Sequence, residues 1–556
     1  MSNFFYELIL LLPPLGLCIS AMFIARRPMH YFQLESYQFA GYFKTLRRQL
    51  KPVMLPCLAQ GAVCAAAGLV YRILYDRTGI ADGFSGGAGS FGDVLPLLLL
   101  SAGTGLLCCA AGWLLAKTIC RRKEKKAFVL TRRMRRLYIL LFILTVAAAA
   151  VLSACFNCKI TDCLLLSSLV FLVLPLLVPL AAIAALPIEK FINFLYLKDA
   201  EKKLLSHDHL IRIGITGSYG KTSVKFILAH ILSQKFNVLA TPASFNTPMG
   251  VTRVIRERLT PAHQVFIGEM GARHVGEIRE LCGLVHPVIG VLTSVGPQHL
   301  DTFKTQERIT KTKYELIESL PSDGLAVFLN DDAIATELYQ KTEKPKMLVG
   351  KENTDAWAED VKVGPEGSSF ILRLKGESPI ACSTRLLGRH NIRNILLSCA
   401  VAHSLGLSIR QIQAGINSLE PVEHRMQIVS NAGGITVIDD AFNTNPRSSK
   451  EALDILKSFS GRRIIVTPGM VELGNDEASY NEEFGRAMAS CVDIAVLVGK
   501  KHTEPIKNGL SAQGFDENNI RTFDSLDAAV DYLQQIRQPG DVIMYENDLP
   551  DHYSEN

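Results

Sequence analysis

The chain has 556 residues, of which 48% are hydrophobic and 20% charged, and a formal net charge of +6 at pH 7. This length exceeds one ordinary domain, and a mean hydropathy of +0.20 is unusual for a purely soluble enzyme. Residues 26–51 and 117–136 together carry +14, so the rest of the chain is near −8 and offers no broad basic surface for nucleic acid.

Long apolar runs fill the first third of the chain. A helix needs about 20 residues to cross the hydrocarbon core of a bilayer, and five runs reach that length. They predict transmembrane helices at approximately 4–25, 52–75, 93–116, 137–155 and 163–186. The first run is not expected to be a cleaved signal peptide, because it lacks a basic start and ends in Arg26-Arg27-Pro28.

The loops between these runs predict the orientation of the chain. Short loops rich in Lys and Arg stay on the cytoplasmic side, which places 26–51 and 117–136 inside. The loops at 76–92 and 156–162 carry little positive charge and are predicted to be external. With the N-terminus outside and five crossings, residue 188 onward lies in the cytoplasm, where ATP is available.

The first basic loop has an unusual composition. Its segment HYFQLESYQFAGYFKTLRRQLK, at 30–51, mixes aromatic and basic residues as an interfacial helix does. Such a helix could contact a lipid-linked molecule. An aromatic belt with anchoring charges explains the same residues more simply, and the sequence leaves both interpretations open.

A glycine-rich loop follows the first strand pattern of the remaining chain. The run IRIGIT at 211–216 leads into GSYGKTS at 217–223 and then into the helical pattern VKFILAHILSQK. Backbone N–H groups of such a loop bind phosphates, while a lysine reaches the β/γ oxygens and a hydroxyl holds Mg²⁺. The predicted nucleotide-binding residues of this loop are Gly217, Ser218, Gly220, Lys221, Thr222 and Ser223.

Seven further segments follow that loop in order. They are TPASFNTPMGV (241–251), FIGEMGARHVGEIREL (266–281), TSVGPQHLDTF (293–303), ERITKTKYELIESLP (307–321), LLGRHNIRNILLSCAVA (386–402), VIDDAFNTNPRSSKEAL (437–453) and MVELG (470–474). Together with the loop they resemble the Mur ligase family, and most closely its MurF branch, the ligases that add D-alanyl-D-alanine to the peptidoglycan precursor.

The resemblance implies the fold and the cofactors. After an N-terminal five-helix transmembrane domain at 1–187 we expect α/β structure, namely a Mur-ligase-type P-loop central domain at 188–421 and a Rossmann-like C-terminal domain at 422–556. The implied enzyme is an ADP-forming acid–amino-acid ligase that uses ATP and two Mg²⁺ ions. It would be a multi-pass protein of the bacterial cytoplasmic membrane, with its catalytic domains in the cytoplasm.

The metal and catalytic residues also follow from the resemblance. Glu269 ends the strand pattern VFIGE, and ligands of open α/β sheets bind beyond the carboxyl ends of strands. Glu269 resembles the family's Mg²⁺ ligand, next to Thr222, and His299 resembles the ligand of a second Mg²⁺. Lys313 aligns with the lysine that is carbamylated in the family, which makes it an anion able to hold that metal. Catalytic roles are expected for Lys221, Lys313 and His299.

The remaining expected contacts come later in the chain. Asn391 and Asn394 resemble the adenine-side asparagines of the family, and Arg425 resembles its nucleotide-contacting arginine. Asp439 and Asn443 resemble the contacts that the C-terminal domain makes to nucleotide and substrate.

The implied reaction activates a carboxylate. The γ-phosphoryl group of ATP is transferred to it, an amine attacks the acyl phosphate, and ADP and phosphate are released. Expected partners are the lipid bilayer, a peptidoglycan precursor and an amino acid or dipeptide amine. A membrane-associated polyamino-acid synthetase of the poly-γ-glutamate type is one alternative. A transporter with a fused ATPase is another, although it would need ionisable residues within the spans, and only Arg72 comes near.

Two departures from the family pattern bear on the substrates. The apolar helices stand where Mur ligases have a soluble domain for the UDP part of the precursor. Our hypothesis is therefore a lipid-linked precursor, with a different mode of UDP binding as the alternative. The segment GDVIMYENDLPDHY at 540–553 replaces a K-G-S-R-like segment that helps to frame the amine site, so the identity of the amine stays open.

Overall fold

The computed structural model describes residues 8–35, 37–77, 91–119, 127–155, 163–243, 245–430, 432–442 and 444–548. The chain divides into two compact units, Met1–Ile192 and Asn193–Asn556. The loops predicted to be external, at 76–92 and 156–162, lie mostly or wholly outside the described residues, and so does Asn443.

The described part of the first unit is helical. Its helices are α1 (Leu12–Leu34), α2 (Phe39–Arg48), α3 (Leu50–Arg77), α4 (Phe91–Ile119), α5 (Arg132–Cys155), α6 (Cys163–Ser167) and α7 (Val170–Leu205). Five described helices are long and apolar enough to cross a membrane: Leu8–Leu34, Leu50–Arg77, Val94–Thr118, Arg132–Leu152 and Val170–Leu205. The prediction of five apolar helices is confirmed by length and composition.

The last helix differs from its predicted limits. Instead of one helix at 163–186, the chain forms the five-residue α6 and the 36-residue α7. Residues 189–205 contain several Lys, Glu and Leu, which favour helix and carry α7 beyond the end of the apolar run. Pro175, Pro179 and Pro187 are all accommodated inside it.

Small residues bring α1 and α4 close together. A Cβ atom added to Gly16 would lie 2.4 Å from the carbonyl oxygen of Gly105. A larger residue at position 16 would therefore force the backbones of α1 and α4 apart. Between α3 and α4, Gln60 Nε2 donates to the carbonyl oxygen of Cys108 at 2.9 Å. The helices of this unit are thus joined by backbone proximity and by a buried hydrogen bond.

The second unit begins with the last residues of α7, and a mainly parallel sheet follows them. Its strands are β1 (Ile211–Thr216), β2 (Val238–Ala240), β3 (Val265–Glu269), β4 (Ile289–Leu292), β5 (Leu325–Leu329), β6 (Lys346–Val349), β7 (Ala356–Gly364), β8 (Gly367–Leu374) and β9 (Ile380–Thr384). Their order is β2-β3-β1-β4-β5-β6-β7-β8-β9, with antiparallel pairing only between β7, β8 and β9. The associated helices are α8 (Lys221–Leu232), α9 (Pro248–Arg258), α10 (Glu277–Val285), α11 (Leu300–Phe303), α12 (Gln306–Glu318), α13 (Ala333–Lys341), α14 (Arg389–Ser404) and α15 (Ile409–Asn417).

The position of β1 fixes the position of the site. Its apolar strand residues are buried between helices on both faces of the sheet, as expected for a parallel strand. Both neighbours of β1 are parallel to it, β3 on one side and β4 on the other. The carboxyl ends of these three strands therefore meet at one edge, where the glycine loop (217–220), Glu269 and the segment 293–299 follow them.

A second sheet contains the strands of the C-terminal residues. They are β10 (Gln427–Ser430), β11 (Thr436–Asp440), β12 (Arg463–Thr467), β13 (Ile494–Val498), β14 (Ile520–Phe523) and β15 (Val542–Glu546), in the order β10-β11-β15-β12-β13-β14. Only β10 pairs antiparallel. The accompanying helices are α16 (Pro446–Lys457), α17 (Glu477–Met488), α18 (Glu504–Ala512) and α19 (Leu526–Ile536).

Four charged side chains join the residues of the two sheets. Arg447 donates to Asp331, and Arg393 donates to Glu451, both across the boundary between the sheets. Arg393 Nη1 also lies 3.5 Å from Asp331 Oδ1, and Arg447 Nε lies 3.5 Å from Glu451 Oε1. These half-buried residues, Asp331, Arg393, Arg447 and Glu451, form what we call the charged seam.

Candidate active site

The glycine loop is held by the segment that follows β4. Ser218 N donates to the carbonyl oxygen of Ser294 at 2.8 Å, and Ser218 Oγ donates to that of Gly296 at 2.8 Å. Tyr219 contributes a further hydrogen bond from its hydroxyl to Pro297 O at 2.7 Å. The loop is therefore fixed by its neighbour before any ligand contacts it.

Two glycines of the loop lie too close to neighbouring side chains for any other residue to fit. A Cβ atom on Gly217 would lie 2.0 Å from Thr293 Oγ1, and one on Gly220 would lie 2.8 Å from Asn394 Oδ1. Gly220 also has φ of 80° and directly precedes α8. The loop thus presents backbone N–H groups at a helix N-terminus, the arrangement that binds phosphate.

Lys221 turns back into the loop. Its Nζ donates to the carbonyl oxygens of Gly217 at 2.7 Å and Ser218 at 3.2 Å. Burial lowers the pKa of Lys221 to about 8, against the opposing effect of Glu269, and the positive charge of Arg425 lowers it further. A bound phosphate group would give the Lys221 ammonium a negatively charged partner in addition to these carbonyl oxygens.

Thr222 and Glu269 lie together next to the loop. Thr222 Oγ1 is 3.2 Å from Glu269 Oε1, and Asn246 Nδ2 donates to the same carboxylate oxygen at 3.1 Å. Glu269 is 1% exposed. A hydroxyl and a carboxylate are the oxygen ligands that Mg²⁺ prefers, so this pair fits the predicted metal.

Lys225 is a site residue that the sequence did not indicate. Its Nζ lies 3.0 Å from Glu269 Oε2 and donates to the carbonyl oxygen of Ala243. Both charged side chains of the pair are at most 1% exposed. Removal of one partner would leave a buried unpaired charge, at a cost of about 3–5 kcal/mol. The spacing of four residues from Lys221, on one face of a helix, was the signal available for it.

His299 is oriented by a carboxylate from the second sheet's residues. His299 Nδ1 lies 2.6 Å from Glu472 Oε2, and Arg273 Nη2 lies 3.2 Å from the other oxygen of Glu472. A carboxylate only accepts, so Nδ1 carries the hydrogen and Nε2 presents its lone pair. Metal-binding histidines are commonly oriented by such a bond. Burial lowers the pKa of His299, which favours that neutral form.

Lys313 is buried among other charges. It is 1% exposed, and burial together with the positive charge of Lys221 lowers the pKa of Lys313 well below its usual value. Glu277, Glu269 and Glu315 act in the opposite direction. An uncharged amine is the form that reacts with carbon dioxide, so this environment suits the predicted carbamylation.

The predicted nucleotide contacts divide into two groups. Asn391 and Asn394 are adjacent in α14, with their side-chain amides 3.4 Å apart, and Asn394 lies beside Gly220. Ser223, 8% exposed, lies in the first turn of α8. These three residues are close to the glycine loop in the chain or in space.

The predicted contacts after residue 422 are only partly brought to the loop. The Arg425 guanidinium lies 4.2 Å from the centroid of the Phe442 ring, and its charge acts on both Lys221 and Glu269. Asp439 instead accepts from His424 Nδ1 at 2.7 Å. Asn443 lies outside the described residues, so its role stays a prediction.

Comparisons with known protein families match the two sheets of the second unit separately. The family description "Mur ligase middle domain" matches residues 215–402, and "Mur ligase, glutamate ligase domain" matches residues 424–545. UDP-N-acetylmuramoyl-tripeptide--D-alanyl-D-alanine ligase of Mycobacterium tuberculosis is 32% identical over 355 residues, which are 60% of this chain and 69% of the relative. The enzyme of that name from Escherichia coli is 31% identical over 315 residues, 56% of this chain and 69% of the relative.

Solved structures agree with the sequence relatives. MurF from Acinetobacter baumannii superposes with a TM-score of 0.59 at 25% identity, covering 65% of this chain and 79% of that one. MurF from Thermotoga maritima in complex with ADP gives a TM-score of 0.58 at 25% identity, with 65% and 82% covered.

The fold and these matches define an ADP-forming ligase. The chain belongs to the Mur ligase family, which makes ATP-dependent peptide bonds in peptidoglycan precursors, and the relatives just described are of the MurF type. The resemblance seen in the sequence is confirmed, and a transporter with a fused ATPase gains no support from it.

Proposed function

We propose that the protein is a membrane-anchored ligase that activates a carboxylate of a peptidoglycan precursor with ATP and joins it to an amine. The observation that carries this proposal is the adjacency of the glycine loop, with Lys221, to the Thr222–Glu269 pair. Phosphate-binding and Mg²⁺-binding groups thereby meet at the carboxyl ends of neighbouring strands. We assign the central domain to 188–421 and a Rossmann-like C-terminal domain to 422–556.

The residues present fit nucleotide and metal. The loop from Gly217 to Gly220 directly precedes the N-terminus of α8, and this supports phosphate binding by its backbone N–H groups. Thr222 and Glu269 would hold one Mg²⁺, and His299 with a carbamylated Lys313 would hold a second. Bound Mg²⁺ supplies positive charge that stabilises the transferring phosphoryl group.

The chain's own groups then have distinct tasks. Lys221 neutralises phosphate charge, and the loop amides orient the phosphates. Arg425 adds positive charge from the C-terminal residues, which would cover the site and keep water from the reactive acyl phosphate. Catalysis by this site would therefore be mainly positioning and electrostatics.

The membrane part of the proposal rests on the first unit. Five described helices could span a bilayer, and the basic loops predict a cytoplasmic ligase half. The named relatives act on a UDP-linked muramoyl tripeptide and on D-alanyl-D-alanine. For this chain we propose a precursor of the same type that is lipid-linked, with an amino acid or dipeptide as the amine. A poly-γ-glutamate-like synthetase would use the same activation.

Substitution of Lys221 tests the ligase assignment. Lys221→Ala should lower ADP formation that depends on precursor and amine by about a hundredfold or more, because a preorganised charge at the phosphates is lost. ADP release would be followed by a coupled assay with the full chain in detergent. Lys311→Ala, which changes an exposed lysine of α12, serves as control. Equal turnover of Lys221→Ala and wild type would contradict the assignment.

A further inference from the structure

The outer side of α2 carries charged residues that are not among the proposed ligase-site residues. The helix Phe39–Arg48 connects two helices, Leu8–Leu34 and Leu50–Arg77, that are each long enough to cross a bilayer. A short helix in that position lies where the apolar layer meets water. Its two sides differ in what they contact.

The inner side of α2 is already packed on its own unit. Tyr42 is fully buried, and its hydroxyl donates to the carbonyl oxygen of Pro175 in α7 at 2.6 Å. The Tyr42 ring meets Phe32 of α1 edge to face, with centroids 5.4 Å apart. The main apolar side of α2 is therefore packed within its own unit, whereas Phe43 stays exposed on the other side.

The outer side of α2 is basic and exposed. It consists of Phe43, Lys44, Arg47 and Arg48, which we call the basic face. Within the described ranges, Lys44, Arg47 and Arg48 have no ion-pair partner. Glu35, the acidic residue of this loop, is engaged by the Thr45 hydroxyl at 2.5 Å.

Other cations of the same unit are used internally. Arg136 lies 2.6 Å from Glu189 Oε1, and Arg133 lies 3.8 Å from Glu189 Oε2. Arg133 also stacks on the Tyr37 ring, 3.9 Å from its centroid. Arg133 and Arg136 thus hold helices of the unit together, whereas the cations of the basic face point outward.

We propose that the basic face binds the phosphate headgroups of anionic membrane lipids. Three unpaired cations on adjoining helical turns match phosphate oxygens in charge, and the 46% exposed Phe43 can lie against the acyl chains beside them. Each basic residue near an anionic membrane contributes about fivefold in affinity. This inference rests on the proposed insertion of the first unit in a membrane.

Binding of short-chain lipids to the full chain in neutral detergent tests the proposal. The variant Arg47→Gln/Arg48→Gln should bind dioctanoyl phosphatidylglycerol about thirtyfold more weakly than wild type, and thermophoresis would measure it. Dioctanoyl phosphatidylcholine should bind weakly to both proteins. Arg308→Gln/Arg410→Gln removes two exposed charges from helices of the second unit and should leave lipid affinity unchanged.

Three outcomes would overturn the proposal. One is equal lipid affinity of the α2 variant and wild type. The second is an equal loss in Arg132→Gln/Arg135→Gln, which would replace a site on α2 by a diffuse basic belt. The third is inorganic pyrophosphate binding as tightly as phosphatidylglycerol, which would assign the surface to a soluble anion. Release of the wild-type protein from membranes by alkaline carbonate would instead contradict the membrane proposal itself, and ADP formation by the α2 variant reports separately on the ligase.

Discussion

Lys313 has its amine in a place where water cannot stabilise the charge of an ammonium group. Burial and Lys221 both favour the neutral amine of Lys313, which is the nucleophile needed for reaction with carbon dioxide. The product would be an anion next to Lys221. One chemical change would thus turn a buried neutral amine into an anion that attracts the positive charge of Lys221 and can hold a metal.

Labelled bicarbonate should reveal this modification. In wild type, ¹³C-bicarbonate is expected to give a carbamate carbon resonance in the NMR spectrum, and Lys313→Ala should lack that resonance. Lys311→Ala, two residues away and exposed, should retain it. A wild-type spectrum without the resonance would leave Lys313 as a buried neutral amine.

Asp440 and Glu546 form an acidic pair at the ends of β11 and β15. They are register partners on neighbouring strands. Burial raises the pKa of each carboxyl to about 7. For Asp440, Glu546 and Asp439 add to the rise and Arg425 opposes it, whereas for Glu546 the Thr467 hydroxyl, 2.5 Å away, opposes it.

The pair predicts a stability that falls as pH rises. An unfolded carboxyl titrates near about 4, so the folded protein keeps protons that the unfolded chain has lost, and this advantage disappears as pH passes about 7. Glu546→Gln cannot ionise and should therefore exceed wild type in melting temperature by about 2–6 °C at pH 8. The difference should be smaller at pH 6.

Thermal unfolding of the full chain in detergent at pH 6 and pH 8 would measure this effect. The control Glu517→Gln removes an exposed carboxyl between α18 and β14. It should leave the melting temperature unchanged at both pH values. If Glu546→Gln gained equally at both pH values, a packing effect rather than ionisation would explain it.

Two loops, one after β4 and one after β12, meet at His299 and Glu472. Both residues have left-handed backbone, with φ of 52° and 66°. Such a conformation costs about 1–3 kcal/mol for a residue other than glycine. The hydrogen bond between His299 and Glu472 ties the orientation of the His299 ring to the C-terminal residues.

Removal of that contact should weaken metal binding. Glu472→Ala leaves the His299 ring without its orienting acceptor, and Mn²⁺ affinity in the presence of a nucleotide analogue should fall about tenfold to a hundredfold. Electron paramagnetic resonance would count the bound ions. The matched control is Glu477→Ala, which removes a similar His–Glu bond, 2.8 Å long, to His502. Equal losses in both variants would point to general destabilisation.

Some elements of the fold follow from local sequence patterns, whereas others depend on contacts between distant segments. The five apolar helices and the loop–helix unit around Lys221 were predictable because a periodic or apolar local pattern encodes them. The limits of α7 were missed because helix propensity continued beyond the apolar run. Lys225 and the Glu472–His299 bond were missed because they depend on contacts between distant segments, which no local pattern records.

At the scale of the whole molecule, the two units predict where the substrate comes from. If the first unit presents a precursor at the membrane, full-length protein in vesicles should turn over a lipid-linked precursor at least about tenfold faster than its UDP-linked form. A radiolabelled amine and extraction of the product into butanol would measure both. Exclusive use of the UDP-linked form would contradict the hypothesis, and detergent-dispersed substrate at equal concentration serves as control.

The charged seam should make the contact between the two sheets of the ligase half sensitive to ionic strength. Asp331, Arg393, Arg447 and Glu451 are between 15% and 32% exposed, so dissolved ions can reach them. Electrostatic attraction is screened beyond about 8 Å at physiological ionic strength and beyond about 3 Å in molar salt. We therefore expect molar salt to weaken the attraction across the charged seam between the residues of the two sheets.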